Sequence, residues 1–311
     1  MKTTFLLILP LLLLSGCMPS TRYTDTGQAL EYKLNESPLL TYNYQTVYPS
    51  AGIDSAYRRS GFFHPVRSLA GEVLTNSSPA DHYHHYGLWY AWTKTTFEGK
   101  EIDFWNVYKK QGTVCFREFT HVSDAGFSAI LDHVIYPDST ARQTVMIEDL
   151  EIKLGQPFAK GYCFDYITTL QCATESPITL ECYRYGGLVI RTRADWTPGR
   201  AHFLTSEGCT QKDADNSDAR WAFFQGKADK GNACILILSH PANLNHPEPL
   251  RVWNEQVNAG VGDVMWNFSP TKKQSYTLTP ADKLKLHYRI FVFDELINSD
   301  RAEDLWNKFA N

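Results

Sequence analysis

Turn residues recur at a short spacing through most of this chain, and that spacing constrains the fold more than any other feature. From about residue 28 onward, alternating or β-branched runs are interrupted by Gly, Pro, Asn or Asp every eight to twelve residues. This pattern is typical of antiparallel strands joined by turns. The clearest strand candidates are 30–34, 113–120, 127–136, 141–154, 162–172, 178–185, 188–193, 219–225, 233–239, 264–268 and 283–293.

The strand candidates together predict an all-β fold, a large antiparallel β-sandwich. Strands that alternate with helices, as a parallel sheet requires, are not indicated. One short C-terminal helix is predicted, where Ser299 and Asp300 cap an apolar run at helical spacing. We expect residues 28–311 to form a single domain because no low-complexity linker divides them. Loops carry most functional residues, so the strand-poor stretches 61–92, 197–218 and 241–262 are the candidate site regions.

The first residues predict export and lipidation. Lys2 precedes an apolar run over residues 5–14, and residues 1–16 therefore resemble a cleaved signal peptide. Leu14-Ser15-Gly16-Cys17 matches the bacterial lipobox, in which a lipidated cysteine becomes the first mature residue. The alternative is an ordinary signal peptide followed by an unrelated cysteine. We expect a lipid on Cys17 to hold the protein at a membrane of the bacterial cell envelope, on the periplasmic or outer-membrane face, with residues 17–27 as a flexible spacer.

Composition argues against one class of partner and leaves another open. The net charge is −4, so no basic field is present to bind nucleic acid. Aromatic residues make up 14% of the chain, and exported proteins use such rings both in β cores and against sugars. Apart from Cys17, six cysteines remain without a CxxC pattern. We expect these to be buried thiols; Cys172 and Cys182, which flank an expected turn, are the pair best placed for a disulfide.

Polar residues with catalytic chemistry gather in the first strand-poor stretch. Four of the ten histidines lie within residues 64–85, and three of them follow Asp81. If this segment is extended, His82 and His84 share one face, and such a pair binds a divalent metal when a distant histidine such as His240 completes the site. Without metal, the same imidazoles suit acid and base catalysis near neutral pH. The alternative is that they only form hydrogen bonds beneath a loop.

Further residues are candidates for the same site. Arg67 provides a fixed hydrogen-bond donor, and Asp103 provides a carboxylate. Trp89 and Trp105 offer surfaces on which a sugar ring stacks, although both also suit a β core. The segment His240-Pro241-Ala242-Asn243 resembles either the rim of a pocket or a proline-stiffened turn. Neither Gly-x-Ser-x-Gly nor His-Glu-x-x-His occurs, so serine and zinc hydrolases of those types are not indicated.

In combination, these motifs resemble the PmoA family, whose members are described as methane oxygenases. The matching motifs are Phe63-His64-Pro65, Asp81-His82-x-His84-His85-x-Gly87-Leu88-Trp89, Asp103-Phe104-Trp105, Tyr185-Gly186-Gly187-Leu188 and Ser239-His240-Pro241-x-Asn243. Tyr86 replaces the arginine that usually follows the paired histidines. The resemblance implies a β-supersandwich similar to galactose mutarotase domains and a role in sugar chemistry. Methane oxidation is not expected, since no apolar run reaches the ~20 residues of a membrane-spanning helix.

The leading hypothesis is an enzyme that hydrolyses, epimerises or eliminates a sugar or keto-sugar glycoside. Catalytic roles are predicted for His82, His85 and Asp103, and a divalent metal would be held by His82, His84 and His240. Substrate-binding roles are predicted for His64, Arg67, Trp89, Trp105, Tyr185 and Asn243. Two alternatives stay open: a non-catalytic surface lipoprotein that binds glycans, and a metal-dependent redox protein.

Overall fold

The computed structural model describes residues 21–136 and 141–311, so Cys17 and the turn between the third and fourth strand candidates lie outside the described residues. In chain order the strands are β1 (Thr21–Asp25), β2 (Ala29–Leu34), β3 (Ser37–Asn43), β4 (Phe62–Val66), β5 (Leu88–Trp92), β6 (Thr95–Phe97), β7 (Lys100–Ile102), β8 (Gly112–Ser123), β9 (Gly126–Ile135), β10 (Gln143–Leu154), β11 (Gly161–Cys172), β12 (Ile178–Leu180), β13 (Gly186–Arg191), β14 (Ala201–Thr205), β15 (Asp218–Ala219), β16 (Trp221–Ala228), β17 (Gly231–Ser239), β18 (Glu248–Val252), β19 (Met265–Phe268), β20 (Tyr276–Leu278) and β21 (Leu284–Phe293). The described helices are α1 (Ser299–Ala310) and three short 3-10 turns, Ser55–Tyr57, Val107–Lys109 and Asn258–Gly260.

The described strands form two large sheets and one small sheet. The first large sheet has nine strands in the order β1-β2-β3-β4-β5-β13-β19-β18-β15, and the second has eight in the order β14-β16-β17-β21-β11-β10-β9-β8. The small sheet has the order β20-β12-β6-β7. Neighbouring strands within the sheets run antiparallel. The prediction of an all-β antiparallel sandwich with a short C-terminal helix is confirmed.

The main apolar core lies between the two large sheets, and alternation along each strand decides which side chains enter it. On β21, Ile290 and Val292 belong to this core, whereas Phe291 and Phe293 belong to a second cluster on the opposite face. Successive side chains of a strand point to opposite faces, which separates the two sets. Burying each such side chain stabilises the fold by roughly 1.5–3 kcal/mol, so the eight-stranded sheet is stabilised from both sides.

Helix α1 covers the outer face of the eight-stranded sheet. Ala302 and Phe309 join the second cluster, and Trp306 Nε1 donates a hydrogen bond to the carbonyl of Ser239. The N-cap lies one residue earlier than the predicted Ser299. Its N-cap is Asn298, whose side chain accepts from the backbone N–H of Arg301, because asparagine satisfies this position as well as serine does.

A third apolar cluster lies on the outer face of the nine-stranded sheet. Its strand residues alternate in sequence with residues of the main core, as Trp89 does with Leu88 and Val189 with Leu188. Side chains from the loops before β5 and after β7 and β18 pack over this face. The members of this cluster are Phe62, Tyr86, Trp89, Ala91, Trp105, Val107, Val189, Trp253 and Met265. The candidate functional site lies against it.

Several strands lie where the sequence pattern is poor in strands. β4 and β5 lie within residues 61–92, β14 within 197–218 and β18 within 241–262, so these stretches are not the long loops that we expected. β4 and β18 contain Pro65 and Pro249, and proline weakens the sequence signal because it cannot donate to a sheet ladder. β1 pairs with β2 along its whole length. The spacer predicted for residues 17–27 is therefore a paired strand from Thr21 to Asp25.

The six cysteines of the described chain are free thiols. Cys172 Sγ donates to the carbonyl of Leu278, and Cys182 Sγ donates to the carbonyl of Lys272. The best-placed pair for a disulfide, Cys172 and Cys182, therefore forms none. Among residues 21–136 and 141–311, no helix is long and apolar enough to cross a membrane.

Candidate functional site

The candidate site is a cavity of about 310 Å³ on the outer face of the nine-stranded sheet. The turns before β5 supply three histidines to its wall, and the segment after β7 supplies Asp103, Trp105 and Lys109. Tyr185, directly before β13, and Trp253, directly after β18, complete the aromatic part of the wall. Residues from four separate parts of the chain therefore meet because their strands are neighbours in one sheet.

The three histidines meet at the cavity, although not as an extended strand. The backbone N–H of His82 donates to the carbonyl of Pro79, and that of His85 donates to the carbonyl of His82, which makes two successive turns. The ring centroids lie 5.5 Å apart for His82 and His84, 4.8 Å for His82 and His85, and 4.9 Å for His84 and His85. The turns bring all three rings to one wall, where an extended segment would place His85 on the opposite face.

Asp81 orients His82. The Nδ1 atom of His82 lies 2.9 Å from Asp81 Oδ2, and that oxygen also accepts from Arg191 Nη2 at 2.9 Å and Asn258 Nδ2 at 2.7 Å. Burial alone would raise the pKa of Asp81, but the hydrogen bonds from His82 and Arg191 outweigh burial and hold that pKa below its usual range. The carboxylate is therefore ionised and accepts a hydrogen bond from the Nδ1–H of His82. The lone pair of neutral His82 is then on Nε2, the nitrogen free to face a bound molecule.

Arg191 fixes the opposite tautomer of His85. Arg191 Nη1 lies 3.2 Å from His85 Nδ1, and a guanidinium group can only donate, so this nitrogen must accept. The ring proton of His85 is then on Nε2. Burial, followed by the charges of His84, Arg191 and His82, lowers the pKa of His85 well below its ordinary value. His85 is thus a neutral hydrogen-bond donor beside His82, which is an acceptor.

His84 is also neutral at physiological pH. Its ring lines the same cavity, and burial together with the neighbouring His82 lowers its pKa to about 4, although Asp81 acts in the other direction. The cavity therefore holds three closely spaced imidazoles without three positive charges. Their different hydrogen-bond partners give them different chemical roles.

A buried polar network supports the histidine wall from behind. Arg191 is fully buried on β13, and its Nη2 also donates to Asp263 Oδ2. Asn258 joins the two carboxylates, since its Nδ2 lies 3.1 Å from Asp263 Oδ1 as well as close to Asp81. The guanidinium carbon lies 4.7 Å from the ring centroid of Trp253. Two carboxylates, one amide and one aromatic face thus hold a single buried cation.

The wall opposite the histidines carries paired charges. Asp103 Oδ1 accepts from the backbone N–H groups of Trp105 and Asn106 at 2.9 and 2.8 Å, and Oδ2 lies 2.9 Å from Lys109 Nζ. The hydrogen bond from Asp103 raises the pKa of Lys109, so its ammonium group stays charged. Both carboxylate oxygens of Asp103 are occupied within the protein, and its contacts fix the segment that carries Trp105 and Lys109.

Tyr185 offers a proton to the cavity. Its hydroxyl oxygen lies 3.2 Å from Arg251 Nη2 and 3.4 Å from Trp253 Nε1, and both of these groups can only donate. The oxygen therefore accepts, and its own hydrogen is left for another partner. The ring of Trp105 lies 5.3 Å from that of Tyr185 and also lines the cavity, which gives this end an aromatic surface.

Several residues predicted for the site lie elsewhere. His64 Nδ1 lies 3.0 Å from Thr75 Oγ1, and Arg67 donates to the carbonyl of Gly71, so neither lines the cavity. Trp89 is fully buried beneath His85 and Trp105 and supports the wall without lining it. These assignments as substrate-binding residues do not fit the cavity, because the side chains are used by the scaffold.

His240 and Asn243 belong to another cluster. The ring of His240 stacks on that of His287 at 5.3 Å, and Asn243 Nδ2 donates to Glu248 Oε1 at 2.8 Å beneath helix α1. The metal site predicted from His82, His84 and His240 is therefore not assembled. In the described parts of the chain, no group of three or more His, Cys, Asp or Glu side chains is arranged to hold a metal ion.

Sequence reasoning missed the residues that organise the histidines. Arg191, Asp263, Asn258 and Trp253 lie far from the histidine stretch in sequence, and only strand pairing brings them to it. One signal was present: Arg191 directly follows the apolar run Leu188-Val189-Ile190. A charged residue continuing a buried strand needs a buried partner, and that requirement points to a functional or structural polar site.

A model of the family described as "Family of unknown function (DUF6807)" matches residues 29–307. The chain belongs to this family. The match includes every residue named above as lining the cavity. The family description carries no activity and no PmoA name, and the PmoA resemblance stays a prediction. The comparison with curated proteins finds no match.

Solved structures match this chain over most of its length at low identity. A candidate mutarotase from Salmonella typhimurium is 9% identical, with a TM-score of 0.42 over 91% of this chain and 96% of that one. A candidate aldose 1-epimerase from Escherichia coli K12 is 9% identical, with a TM-score of 0.37 over 89% and 99%. The heparan sulfate lyase HepC from Pedobacter heparinus is 8% identical, with a TM-score of 0.38 over 92% of this chain, which spans only 36% of the lyase. Scores this low carry no argument about reaction or substrate.

Proposed function

We propose that this protein is an enzyme that acts on a neutral carbohydrate by proton transfer, with His82 as the general base. The observation that carries the proposal is the pairing of an acceptor and a donor at one cavity: His82 Nε2 has a free lone pair, and the Tyr185 hydroxyl has a free hydrogen. Interconversion of the anomers of a reducing sugar needs a base and an acid together. The base takes the proton of the anomeric hydroxyl while the acid protonates the ring oxygen, so that the ring C–O bond breaks and a carbonyl forms; closure on the other face of the carbonyl returns both protons. Epimerisation is therefore the reaction that we favour.

Asp81 makes His82 an effective base. Its carboxylate holds the Nδ1 proton, and it stabilises the imidazolium that forms when Nε2 takes a proton from the substrate. Arg191 and Asn258 bind the same carboxylate oxygen, so Asp81 keeps its position and its charge during the transfer. The base is thus positioned before substrate binds, which lowers the cost of reaching the transition state.

Tyr185 and His85 act on the substrate oxygens. The Tyr185 hydroxyl donates its hydrogen to an oxygen that gains negative charge, while Arg251 and Trp253 donate to the phenolic oxygen. His85 Nε2–H provides a second donor from the histidine wall, and its neutral state suits it to polarise an oxygen without losing its proton. Trp105 and Trp253 are each only 3% exposed, so they form the apolar side of the cavity without offering an open ring face for stacking.

The charges at the cavity favour a neutral sugar over an acidic one. The two lysines of the wall are already paired, Lys109 with Asp103 at 2.9 Å and Lys94 with Glu101 at 3.8 Å. Elimination from a uronic acid needs an unpaired cation to bind the substrate carboxylate. Both lysines are already in ion pairs with carboxylates of the protein. Hydrolysis usually needs two available carboxyl groups across the scissile bond, and both oxygens of Asp103 are occupied.

The proposal is tested by NMR of the purified protein with a panel of neutral reducing sugars in D₂O. We expect at least one sugar to show enzyme-dependent exchange between its anomers. His82→Asn should lower that rate by about 100- to 10,000-fold, and Tyr185→Phe should lower it as well. His121→Asn is the matched control, because His121 is exposed on β8 and lies outside the cavity.

The other functions predict different results in the same experiment. A non-catalytic glycan-binding protein would bind sugars without any exchange, and His82→Asn would change affinity alone. A metal-dependent redox protein would consume oxygen only after a divalent metal is added. Either result would replace the proposal of an acid–base enzyme.

We also propose that Cys17 carries a lipid that anchors this domain to the cell envelope. The support is the sequence alone: the apolar run over residues 5–14 and the Leu14-Ser15-Gly16-Cys17 motif. Metabolic labelling with an alkyne fatty acid should mark the wild-type protein in the membrane fraction, and Cys17→Ser should abolish both the label and the membrane association. Labelling that survives Cys17→Ser would place the lipid elsewhere.

A further inference from the structure

An exposed aromatic surface continues outward from the histidine wall. Tyr57 stacks on Tyr108, with ring centroids 5.2 Å apart and ring planes 14° apart, and Tyr83 lies 5.4 Å from Tyr57. We call Tyr57, Tyr83 and Tyr108 the tyrosine platform. Tyr108 is 52% exposed, which is unusual for so large a ring in a chain whose other aromatics are mostly buried. Exposed apolar surface of this kind marks a binding site more often than chance.

The platform is continuous with the cavity at two points. The His84 ring lines the cavity and also stacks on Tyr57, with centroids 6.5 Å apart and planes 18° apart. The 3-10 turn Val107–Lys109 sends Lys109 to the cavity wall and carries Tyr108 on the platform. A molecule bound in the cavity and extending past His84 would therefore meet Tyr57 next.

The scaffold holds the platform in place. The Tyr86 hydroxyl donates to the carbonyl of Tyr57 at 2.8 Å, and Asp54 caps the turn that carries Tyr57 by accepting from the backbone N–H of Ala56. On the other side, buried Val107 anchors the turn that carries Tyr108. Rings fixed before binding lose little conformational entropy when a ligand packs on them, so this surface is prepared for a ligand.

We propose that the tyrosine platform is a second sugar subsite, so that the substrate is an oligosaccharide or longer glycan whose reacting unit lies in the cavity. This inference rests on the proposed function of the cavity. The C–H face of a pyranose packs against the negative face of an aromatic ring, and stacking of this kind needs no charge on the sugar. A neutral glycan therefore matches both the paired charges of the cavity and the tyrosine surface beside it.

The test is calorimetric binding of neutral hexasaccharides and their matching monosaccharides: cello-, xylo-, malto- and mannohexaose against glucose, xylose and mannose. We expect at least one hexasaccharide to bind more tightly than its monosaccharide, and Tyr108→Ala to weaken that hexasaccharide by about 3- to 10-fold without changing the monosaccharide. Tyr108→Phe keeps the ring and should bind as the wild type does. Tyr48→Ala is the matched control, because Tyr48 is 65% exposed and lies outside the platform.

The possible outcomes separate the two proposals. Equal affinity for hexasaccharides and monosaccharides, or a hexasaccharide affinity that Tyr108→Ala leaves unchanged, would overturn the platform and leave the cavity proposal standing. Absence of binding by every saccharide would overturn both. Unfolding curves of Tyr108→Ala and the wild type, monitored by circular dichroism, show whether the variant is folded under the conditions of the binding measurement.

Discussion

Arg191 Nη1 and His85 Nδ1 lie 3.2 Å apart, and the same guanidinium binds Asp81, which holds His82. One buried cation thereby assigns opposite tautomers to two neighbouring imidazoles. His85 must accept at Nδ1 because Arg191 can only donate, whereas His82 donates at Nδ1 because Asp81 is ionised. The acceptor and the donor of the histidine wall are thus set by a residue that does not line the cavity.

Replacing Arg191 should affect both stability and the histidine tautomers. Arg191→Met leaves Asp263 without its buried partner and Asp81 with fewer donors, so we expect the free energy of unfolding to fall by about 3–5 kcal/mol. Urea unfolding measures this loss. Arg22→Met, an exposed change on β1, should stay within about 0.5 kcal/mol of the wild type.

A second readout distinguishes positioning from packing. ¹⁵N NMR shifts of the His85 ring should show the Nε2–H tautomer in the wild type and a mixture of tautomers in Arg191→Met. A variant that is destabilised but keeps the single His85 tautomer would show that Arg191 is only structural.

The histidine wall could be predicted from sequence because its members are close along the chain, whereas Arg191 and Asn258, which hold Asp81 behind the wall, could not. Asp103, Trp105 and Tyr185 belong to short sequence motifs, and they do line the cavity. His240 appeared equivalent, but it directly follows β17 of the eight-stranded sheet, whereas the cavity lies on the nine-stranded sheet. Local periodicity indicates which faces of a strand are apolar, but it does not specify which sheet the strand joins.

Strand boundaries show the same limit. The regular alternation of β21 is visible in the sequence, and β21 is found within one residue of its expected start. β4 and β18 were missed, since both contain proline and β18 is buried on both faces with Glu248 and Arg251 among its residues. A strand that buries charge through partners on other strands has no recognisable pattern of its own.

Asp103 was predicted to be catalytic, and its contacts suggest that it positions Lys109 instead. Asp103→Asn keeps an oxygen for the backbone N–H groups and loses the ion pair, so we expect KM for the sugar to rise with kcat nearly unchanged. Lys109→Met removes the same pair from the other side and should have the same effect. A loss in kcat of about 100-fold in Asp103→Asn alone would instead make Asp103 a proton-transfer residue.

Glu248 should make stability fall as pH rises. Burial raises its pKa to about 7, although hydrogen bonds from Ser239, Asn243 and Tyr288 oppose the shift. The folded state therefore binds more protons than the unfolded state between the ordinary carboxyl pKa and about pH 7, and the free energy of unfolding decreases across that window by about 2–3 kcal/mol. Urea unfolding at pH 5, 6, 7 and 8 measures the trend.

The matched variants isolate the contribution of this carboxyl group. Glu248→Gln mimics the protonated acid and should remove this part of the pH dependence, so it gains most over the wild type at pH 8. Glu255→Gln makes the same charge change at an exposed position and should follow the wild-type trend. A Glu248→Gln protein with the wild-type pH dependence would show that another group is responsible.

Gly87 should be essential for the placement of the histidine wall, since it joins the last histidine turn to β5. Its φ is +79°, and an added Cβ would lie 2.4 Å from the carbonyl oxygen of Phe63 on β4. Gly99 provides a matched comparison, because its φ is +75° and a Cβ there would meet nothing within 4 Å. Gly99→Ala carries only the backbone cost of about 1–2 kcal/mol, whereas Gly87→Ala also forces β4 and β5 apart and should cost about 1–3 kcal/mol more.

Urea unfolding of the two variants measures the difference, and at temperatures where both are folded only Gly87→Ala should reduce sugar turnover. Equal destabilisation of the two variants would contradict the prediction. It would mean that the histidine turns adapt to a shifted β5 without further loss of stability.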